Sequence, residues 1–487
     1  MGDPEGGARA EAVVDLTAIR HNVEVLLAAT APGAALMIVV KADGYGHGAL
    51  PVARAALGAG ASWLGVCTLE EALELRAGGI DAPVLSWLHL PDEDFAPAIR
   101  AGVDLGVSSR AHLAGVLAGA RRAGRPARLH LKIDTGLTRN GAAPAEWDGL
   151  LDDAVRATAD GTAEVVAVWS HLAQADVPEH PTNDRQAARL TAAWREARER
   201  GLHPMRHLAN SAATMTRPDL HFDLVRAGIA GYGLDPLGRP VGDGVLRPAM
   251  TLRARVALVK RVPAGEGVSY GHEWTTPRET TLALLPIGYA DGVPRRLADG
   301  GRMRVLLAGA LRPVVGRVCM DQIVVDCGDD TVRERELAVL FGPGDRGEPT
   351  AQDWADELGT IHYEIVTGVH RHRVARPALA GVTSCRRRPG GPSSGLPGPR
   401  WPGSRSAWWP ASGTSFWRSA GGGPTARSSR GPGRRGNRPR SPRTTASGCP
   451  ARRSSPPAPR PHSPWCWCTA SRSTAAPGTS SAPRWPS

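Results

Sequence analysis

The chain has 487 residues, 59 Lys and Arg against 47 Asp and Glu, and a net charge of +12; this length implies two or three domains, because single cores stop growing near ~250–300 residues. The charge is unevenly placed: the 123 residues after Glu364 hold 21 Arg but no Asp, Glu or Lys, which leaves 38 basic against 47 acidic residues in 1–364. The acidic body therefore offers no electrostatic case for nucleic-acid binding, and with no signal-peptide pattern over Met1–Arg20 and no apolar run of ~18 residues the expectation is a cytoplasmic protein without a membrane anchor.

In chain order, short aliphatic runs recur at Leu36–Lys41, Ser62–Cys67, Pro83–Trp87, Val103–Val107, Arg128–Ile133, Glu164–Trp169, Arg206–Leu208 and Phe222–Arg226. Helix-like segments fall between most of them, and the one after Cys67 opens with the Thr68-x-x-Glu71 spacing of a capping box. Eight strands alternating with helices predict an α/β fold of the closed (β/α)8 TIM-barrel type. After Leu246 the texture turns β-rich, with Thr251–Val262, Thr280–Ile287, Met303–Leu311 and Arg317–Val325 separated by Gly and Pro. The expected organisation is a barrel over 1–240 with a short N-terminal extension, a mainly β domain over 241–376, and a tail over 377–487. Arg, Pro, Ser, Gly and Trp dominate that tail without periodicity, which predicts disorder. Cys67, Cys319 and Cys327 are the body's only cysteines and lie in no metal-ligand spacing, so neither disulfides nor zinc are expected.

Only three Lys occur, and Lys41 ends the first apolar run at the opening of Lys-Ala-Asp-Gly-Tyr-Gly-His-Gly48. The C-terminal mouth of a barrel is where such folds work, and a poorly hydrated amine there loses basicity and gains nucleophilicity. From position alone the residue reads equally as a solvated lysine in a Gly-rich loop. Asn210, Ser211, Gly228 and Ile229 follow the seventh and eighth strands, where barrels often bind phosphate, although Ala-Asn-Ser-Ala by itself reads as a loop. Arg226, at the end of the eighth strand, also reads as a salt bridge closing the barrel. Lys132 also reads as a strand lysine paired with Asp134, and Tyr270 as a packed aromatic at a turn.

The run Val39-Val-Lys-Ala-Asp-Gly-Tyr-Gly-His-Gly48 resembles the cofactor-attachment signature of alanine racemases. Further blocks are similar to the same family in the same order, including Leu129-His-Leu-Lys-Ile-Asp-Thr-Gly136, Ala209-Asn-Ser-Ala-Ala-Thr214, Gly267-Val-Ser-Tyr-Gly271 and Gly316-Arg-Val-Cys-Met-Asp-Gln322. The resemblance implies pyridoxal 5'-phosphate (PLP) as cofactor, interconversion of L- and D-alanine for peptidoglycan, and a homodimer with shared active sites. It implies that Lys41 carries the cofactor and acts as one base, with Tyr270 of the other subunit as the second. It places Tyr45, His171, Asn210, Ser211, Arg226, Gly228, Ile229 and Tyr363 at the cofactor, and Arg139, Met320, Tyr289 and Asp321 at the substrate. Lys132 is implied as a carbamylated residue orienting Arg139, and no metal is implied. A non-catalytic PLP-binding protein would lack the β domain, and a barrel-type decarboxylase would carry a different second-domain constellation.

The resemblance stops at Arg373-Val-Ala-Arg376, where Ala375 replaces the family's proline. The acid-free tail has the composition of an out-of-frame reading of GC-rich DNA, which suggests a frameshift near 377–385. The rival reading is a genuine disordered basic arm that binds RNA or another polyanion.

Overall fold

A computed structural model describes residues 8–238, 245–369 and 374–379. The expected domain boundary at 240/241 and the tail beyond Leu379 lie outside the described residues. The first strand, β1 (Ala10–Asp15), precedes eight parallel strands: β2 (Ala35–Val39), β3 (Trp63–Val66), β4 (Val84–Ser86), β5 (Asp104–Val107), β6 (Ala127–Lys132), β7 (Ala163–Trp169), β8 (Met205–His207) and β9 (Leu224–Ala227). They pair in the order β8-β7-β6-β5-β4-β3-β2-β9. The seam between β8 and β9 is closed by the Asp223 N–H donating to Arg206 O at 3.1 Å and the Arg226 N–H donating to Ala209 O at 3.0 Å. The result is a nearly closed TIM-type barrel, and all eight anticipated strands are present.

The helices between the strands begin where their sequences supply caps. Thr68 and Glu71 form the anticipated capping box on the helix Leu69–Ala77, and Ser109 caps Arg110–Ala123, which ends at the left-handed Gly124. Met37, Trp63, Leu85, Val166 and Leu224, all from barrel strands, make a cluster separate from the main core. Strand side chains alternate between two faces, so the other face of the same strands packs on the surrounding helices.

The β domain contains β10 (Met250–Arg255), β11 (Leu258–Val262), β12 (Gly267–Val268), β13 (Trp274–Thr275), β14 (Thr280–Leu285), β15 (Arg304–Leu307), β16 (Ala310–Val315), β17 (Ile323–Gly328), β18 (Leu337–Phe341) and β19 (Ala378–Leu379). Nine strands form one sheet in the order β11-β14-β17-β16-β15-β18-β10-β1-β19, with β12 and β13 as a separate pair. Three of the β-rich stretches resolve into finer elements. Thr251–Val262 is two strands, because after Arg255 the chain leaves β18 and β1 for a new partner, β14. Met303–Leu311 is a hairpin, turned at Ala308 and Gly309 with φ of 51° and 75°, the double positive φ of a tight β-turn. Arg317–Val325 is a strand only from Ile323, because Arg317–Gln322 forms a loop.

The N-terminal segment was expected only as an extension of the barrel. It is instead β1 of the β-domain sheet, antiparallel to β10, with Glu11 opposite Arg253 and bonded to it at 2.7 Å. The segment after the β domain returns to the same strand: β19 pairs with β1, and the Ala12 and Val14 N–H groups donate to Ala375 O and Pro377 O. No helix among the described residues is long and apolar enough to cross a membrane.

Candidate active site

Lys41 follows β2 directly and opens a turn in which Ala42, Asp43 and Gly44 all lie in the left-handed region, with φ of 52°, 52° and 61°. For Ala and Asp this conformation costs roughly 1–2 kcal/mol per residue, so other contacts must hold it. The Ala42 N–H donates to Glu71 Oε1 at 2.6 Å, and the Ala49 N–H to Asp43 Oδ1 at 3.0 Å. Glu71 is the capping-box residue, so the cap of one helix also restrains the turn that carries Lys41. Arg376 donates to Asp43 Oδ2 at 2.5 Å and to Val369 O at 2.7 Å. Below the turn, buried Tyr232 donates to Val39 O at 2.9 Å and packs on Tyr45, ring centroids 4.9 Å apart. Removing one partner from a partly buried charged hydrogen bond costs about 1–3 kcal/mol. Arg376→Ala should lower unfolding free energy by that amount in denaturant titration; an unchanged value would show that the turn is held without it.

At the ends of β8 and β9, Ser211 Oγ accepts from the Gly228 N–H at 2.8 Å and the Ala230 N–H at 3.4 Å, which leaves its hydroxyl proton for a ligand oxygen. Asn210 caps the helix Ser211–Thr216 by accepting from the Ala213 N–H. Ile229 is fully buried behind this turn. A Cβ at Gly228 would lie 2.4 Å from the Tyr45 hydroxyl, so only glycine admits that phenol. Tyr363, on the β-domain helix His362–Thr367, faces Tyr45 with centroids 6.2 Å apart. Burial, then the neighbouring Tyr363 and Cys67, raises the Tyr45 pKa above its ordinary value, and burial followed by Asp176 pushes Tyr363 up to about 12. Both phenols remain donors at neutral pH. A cradle of hydroxyls, to which no carboxylate is hydrogen-bonded among the described residues, suits a phosphate dianion.

Arg226 is 4% exposed. Its Nη1 donates to His207 Nδ1 at 2.8 Å, and its Nη2 donates to Ser170 O and Leu208 O at 2.9 and 3.0 Å, with His171 Nδ1 3.3 Å from the same nitrogen. These are not the contacts of an ion pair closing the barrel, because every acceptor is neutral. Burial pulls its pKa down to about 9, so it keeps its charge at pH 7. Burial, and then Arg226 itself, holds His171 and His207 well below the usual histidine range, and both are neutral.

Lys132 lies with Nζ 4.4 Å from the Trp169 ring centroid. It forms no ion pair with Asp134, whose carboxylate accepts from the Gly136 and Thr138 N–H groups of its own loop. Burial, then Arg226 and Arg139, lowers the Lys132 pKa from 10.5 to about 7. Arg139 stands exposed on the same loop. Between pH 7 and 10.5 the unfolded chain binds the proton that the folded lysine lacks, so stability rises with pH across that window. Lys132→Met should flatten that rise; equal slopes for both proteins in carbon-dioxide-free buffer would contradict the lowered pKa.

Tyr270, Tyr289, Met320 and Asp321 sit on β-domain loops. Among the described residues no hydrogen bond, ion pair or ring contact joins any of the first three to Lys41, and Tyr270 is 72% exposed. These loops are nonetheless firmly built. Ser269, Gly271 and His272 around Tyr270 all have positive φ, of 64°, 78° and 45°, and Ser269 Oγ donates to Arg317 O at 2.8 Å. The Tyr289 and Ala290 N–H groups donate to Cys319 O and Met320 O, across a gap where a Cβ at Gly288 would lie 2.3 Å from Cys319 O. Strain of this kind on exposed residues is characteristic of functional surfaces.

Sequence reasoning missed His207, His130, Asp104 and Trp169, which pack beneath Arg226. The signal available was weak: a polar residue inside each short strand, which looks like any inward or outward alternation.

Two family models match the chain: alanine racemase, N-terminal domain, over residues 14–236, and alanine racemase, C-terminal domain, over residues 249–377. An alanine racemase of Salinispora arenicola is 58% identical over 370 residues, covering 76% of this chain and 98% of that protein. One of Mycobacterium tuberculosis H37Rv is 57% identical over 373 residues, covering 76% of this chain and 96% of that protein. The crystal structure of alanine racemase from D-cycloserine-producing Streptomyces lavendulae superimposes with a TM-score of 0.74 at 52% identity, covering 78% of this chain and 99% of that one. The barrel with its lysine turn and donor cradle, the β domain beyond it, and these relatives covered almost end to end lead to one assignment: this chain belongs to the alanine racemase family.

Proposed function

We propose that the chain interconverts L- and D-alanine with PLP, in a homodimer whose active sites each draw on both subunits, in the cytoplasm, supplying D-alanine for peptidoglycan. The observation that carries this reading is the strained Lys41 turn set between a carboxylate-free donor cradle and a buried, charged Arg226. Tyr45, Tyr363, Ser211 and Asn210, with the backbone at Gly228 and Ile229, would hold the cofactor phosphate, and Arg226 would donate to its pyridine nitrogen. PLP, when bound, supplies the electron sink that makes the substrate Cα–H acidic.

The chain's own residues do the rest. An inverted centre needs a proton removed from one face and returned to the other, so two groups must flank Cα. Lys41 Nζ is one of them, and Tyr270 of the partner subunit is the other. His171, neutral and in contact with Arg226, helps that phenol shed its proton. Arg226 keeps its protons at neutral pH, so beside a pyridine nitrogen it would leave that nitrogen unprotonated and would favour a weak electron sink over side reactions such as transamination. The exposure of Tyr270, Tyr289 and Met320 on rigid loops supports the dimer, since a second copy would cover them and add Tyr289, Met320 and Asp321 to a narrow entrance favouring small substrates.

Arg139 would meet the substrate carboxylate, oriented by a carbamate on Lys132. Only a neutral amine takes up carbon dioxide, and the lowered pKa supplies one near pH 7. The full chain loaded with PLP should convert L-alanine to D-alanine, and a 1–379 chain, which keeps β19, should do the same. No conversion by either, with cofactor bound, would overturn the assignment.

A further inference from the structure

Beneath Arg226 a line of polar side chains descends through the barrel interior. His207 Nε2 lies 3.0 Å from His130 Nδ1, and His130 Nε2 lies 3.1 Å from Asp104 Oδ2. Asp104 also accepts from Arg128 Nε at 2.8 Å and Nη2 at 3.3 Å, and Arg128 in turn meets Glu164 at 2.9 Å. Arg226, His207, His130 and Asp104 are each no more than 4% exposed. Trp169 stacks on the His207 ring with centroids 5.2 Å apart and donates its N–H to the backbone carbonyl of His130 at 3.1 Å.

Hydrogen-bond bookkeeping leaves one arrangement of protons. A guanidinium is donor-only, so His207 Nδ1 must accept and its proton must sit on Nε2. That proton is donated to His130 Nδ1, which therefore carries none, and the His130 proton sits on Nε2 and is donated to Asp104. The line runs one way, from a donor-only cation at the mouth to an acceptor-only carboxylate at the base. Burial opposes ionisation of Asp104, but the bonds from His130 and Arg128 outweigh it and hold its pKa below the usual value.

We infer that Asp104 and His130 are positioning residues for the racemase site: they impose on His207 the tautomer that receives Arg226 and so set the guanidinium's orientation toward the cofactor. This rests on the proposed placement of Arg226 at the pyridine nitrogen. A carboxylate that fixes an imidazole tautomer at a distance from the chemistry is a general device. Asp104→Asn keeps the shape but can present an N–H to His130. His130 would then accept at Nε2 and donate from Nδ1, His207 would accept at Nε2, and its proton would face the N–H groups of Arg226.

The test is long-range ¹H–¹⁵N NMR of the PLP-loaded full chain carrying ¹⁵N-histidine, for the native protein and Asp104→Asn. Native His207 and His130 should both appear as Nε2–H tautomers, and the variant should shift His207 away from it. Its kcat should fall on the order of tenfold or more, as for a misplaced site group, with KM for alanine within about twofold and a displaced pH midpoint of the cofactor absorbance. A native Nδ1–H tautomer at either residue overturns the inference without any variant needing to fold. So does a variant that keeps the native kcat and absorbance profile while losing only thermal stability. A native protein with these tautomers but no racemisation would instead count against the functional reading.

Discussion

Lys41→Ala should abolish racemisation, with kcat falling by about 10⁴-fold, the upper end for loss of one positioned acid–base group, and should also remove the covalent cofactor link. The two losses come from one amine at the end of β2, held by a left-handed turn that Glu71 and Arg376 both restrain. The absorbance of bound cofactor separates covalent attachment from binding, because the phosphate cradle is untouched by the substitution. The variant should therefore still bind PLP reversibly. Retained turnover would show that another group holds the proton on that face.

Tyr270→Phe should reduce net racemisation by about 10²–10⁴-fold while leaving one half of the chemistry intact. With Lys41 present, one enantiomer should still exchange its Cα proton with deuterium oxide, whereas its mirror image should not. Loss of exchange for both enantiomers would argue for a binding role of Tyr270, and undiminished racemisation would remove it from the mechanism. The same pair of variants tests the shared site. If each site takes Lys41 from one subunit and Tyr270 from the other, a mixed dimer of Lys41→Ala and Tyr270→Phe chains has one intact and one doubly damaged site. Random reassortment of equal amounts makes about half the dimers mixed by two-fold statistics, so activity should return to about a quarter of the native value. No recovery after exchange of subunits would place both residues in the same chain's site.

The two ends of the described chain bear on these results. Arg376 lies 333 residues from Asp43 in sequence yet holds the turn that carries Lys41, and Ala375 reaches β1 through its carbonyl. A truncation meant to remove the tail must therefore fall after Leu379. A cut at 376 would strip the pairing of β19 with β1 and the bond from the Val14 N–H to Pro377 O.

What the sequence determined by itself is what near neighbours encode. Aliphatic runs and caps such as Thr68 with Glu71 mark the eight barrel strands and their helices, and the strand ends place Lys41, Ser211 and Gly228 at the mouth of the barrel, because strand period, capping and turn chemistry act within a few residues. The resemblance then supplied roles that spacing could not. Only the tertiary structure decided the rest. β1 belongs to the β domain because its partner β10 begins 240 residues later, and Thr251–Val262 divides because its halves find different partners. His130 and His207 are 77 residues apart and Arg226 and His207 are 19 apart, so no local pattern distinguishes an inward histidine that must accept from one that merely packs. A buried donor-only guanidinium imposes its requirement on whatever lies against it, and what lies against it is known only once the barrel has closed.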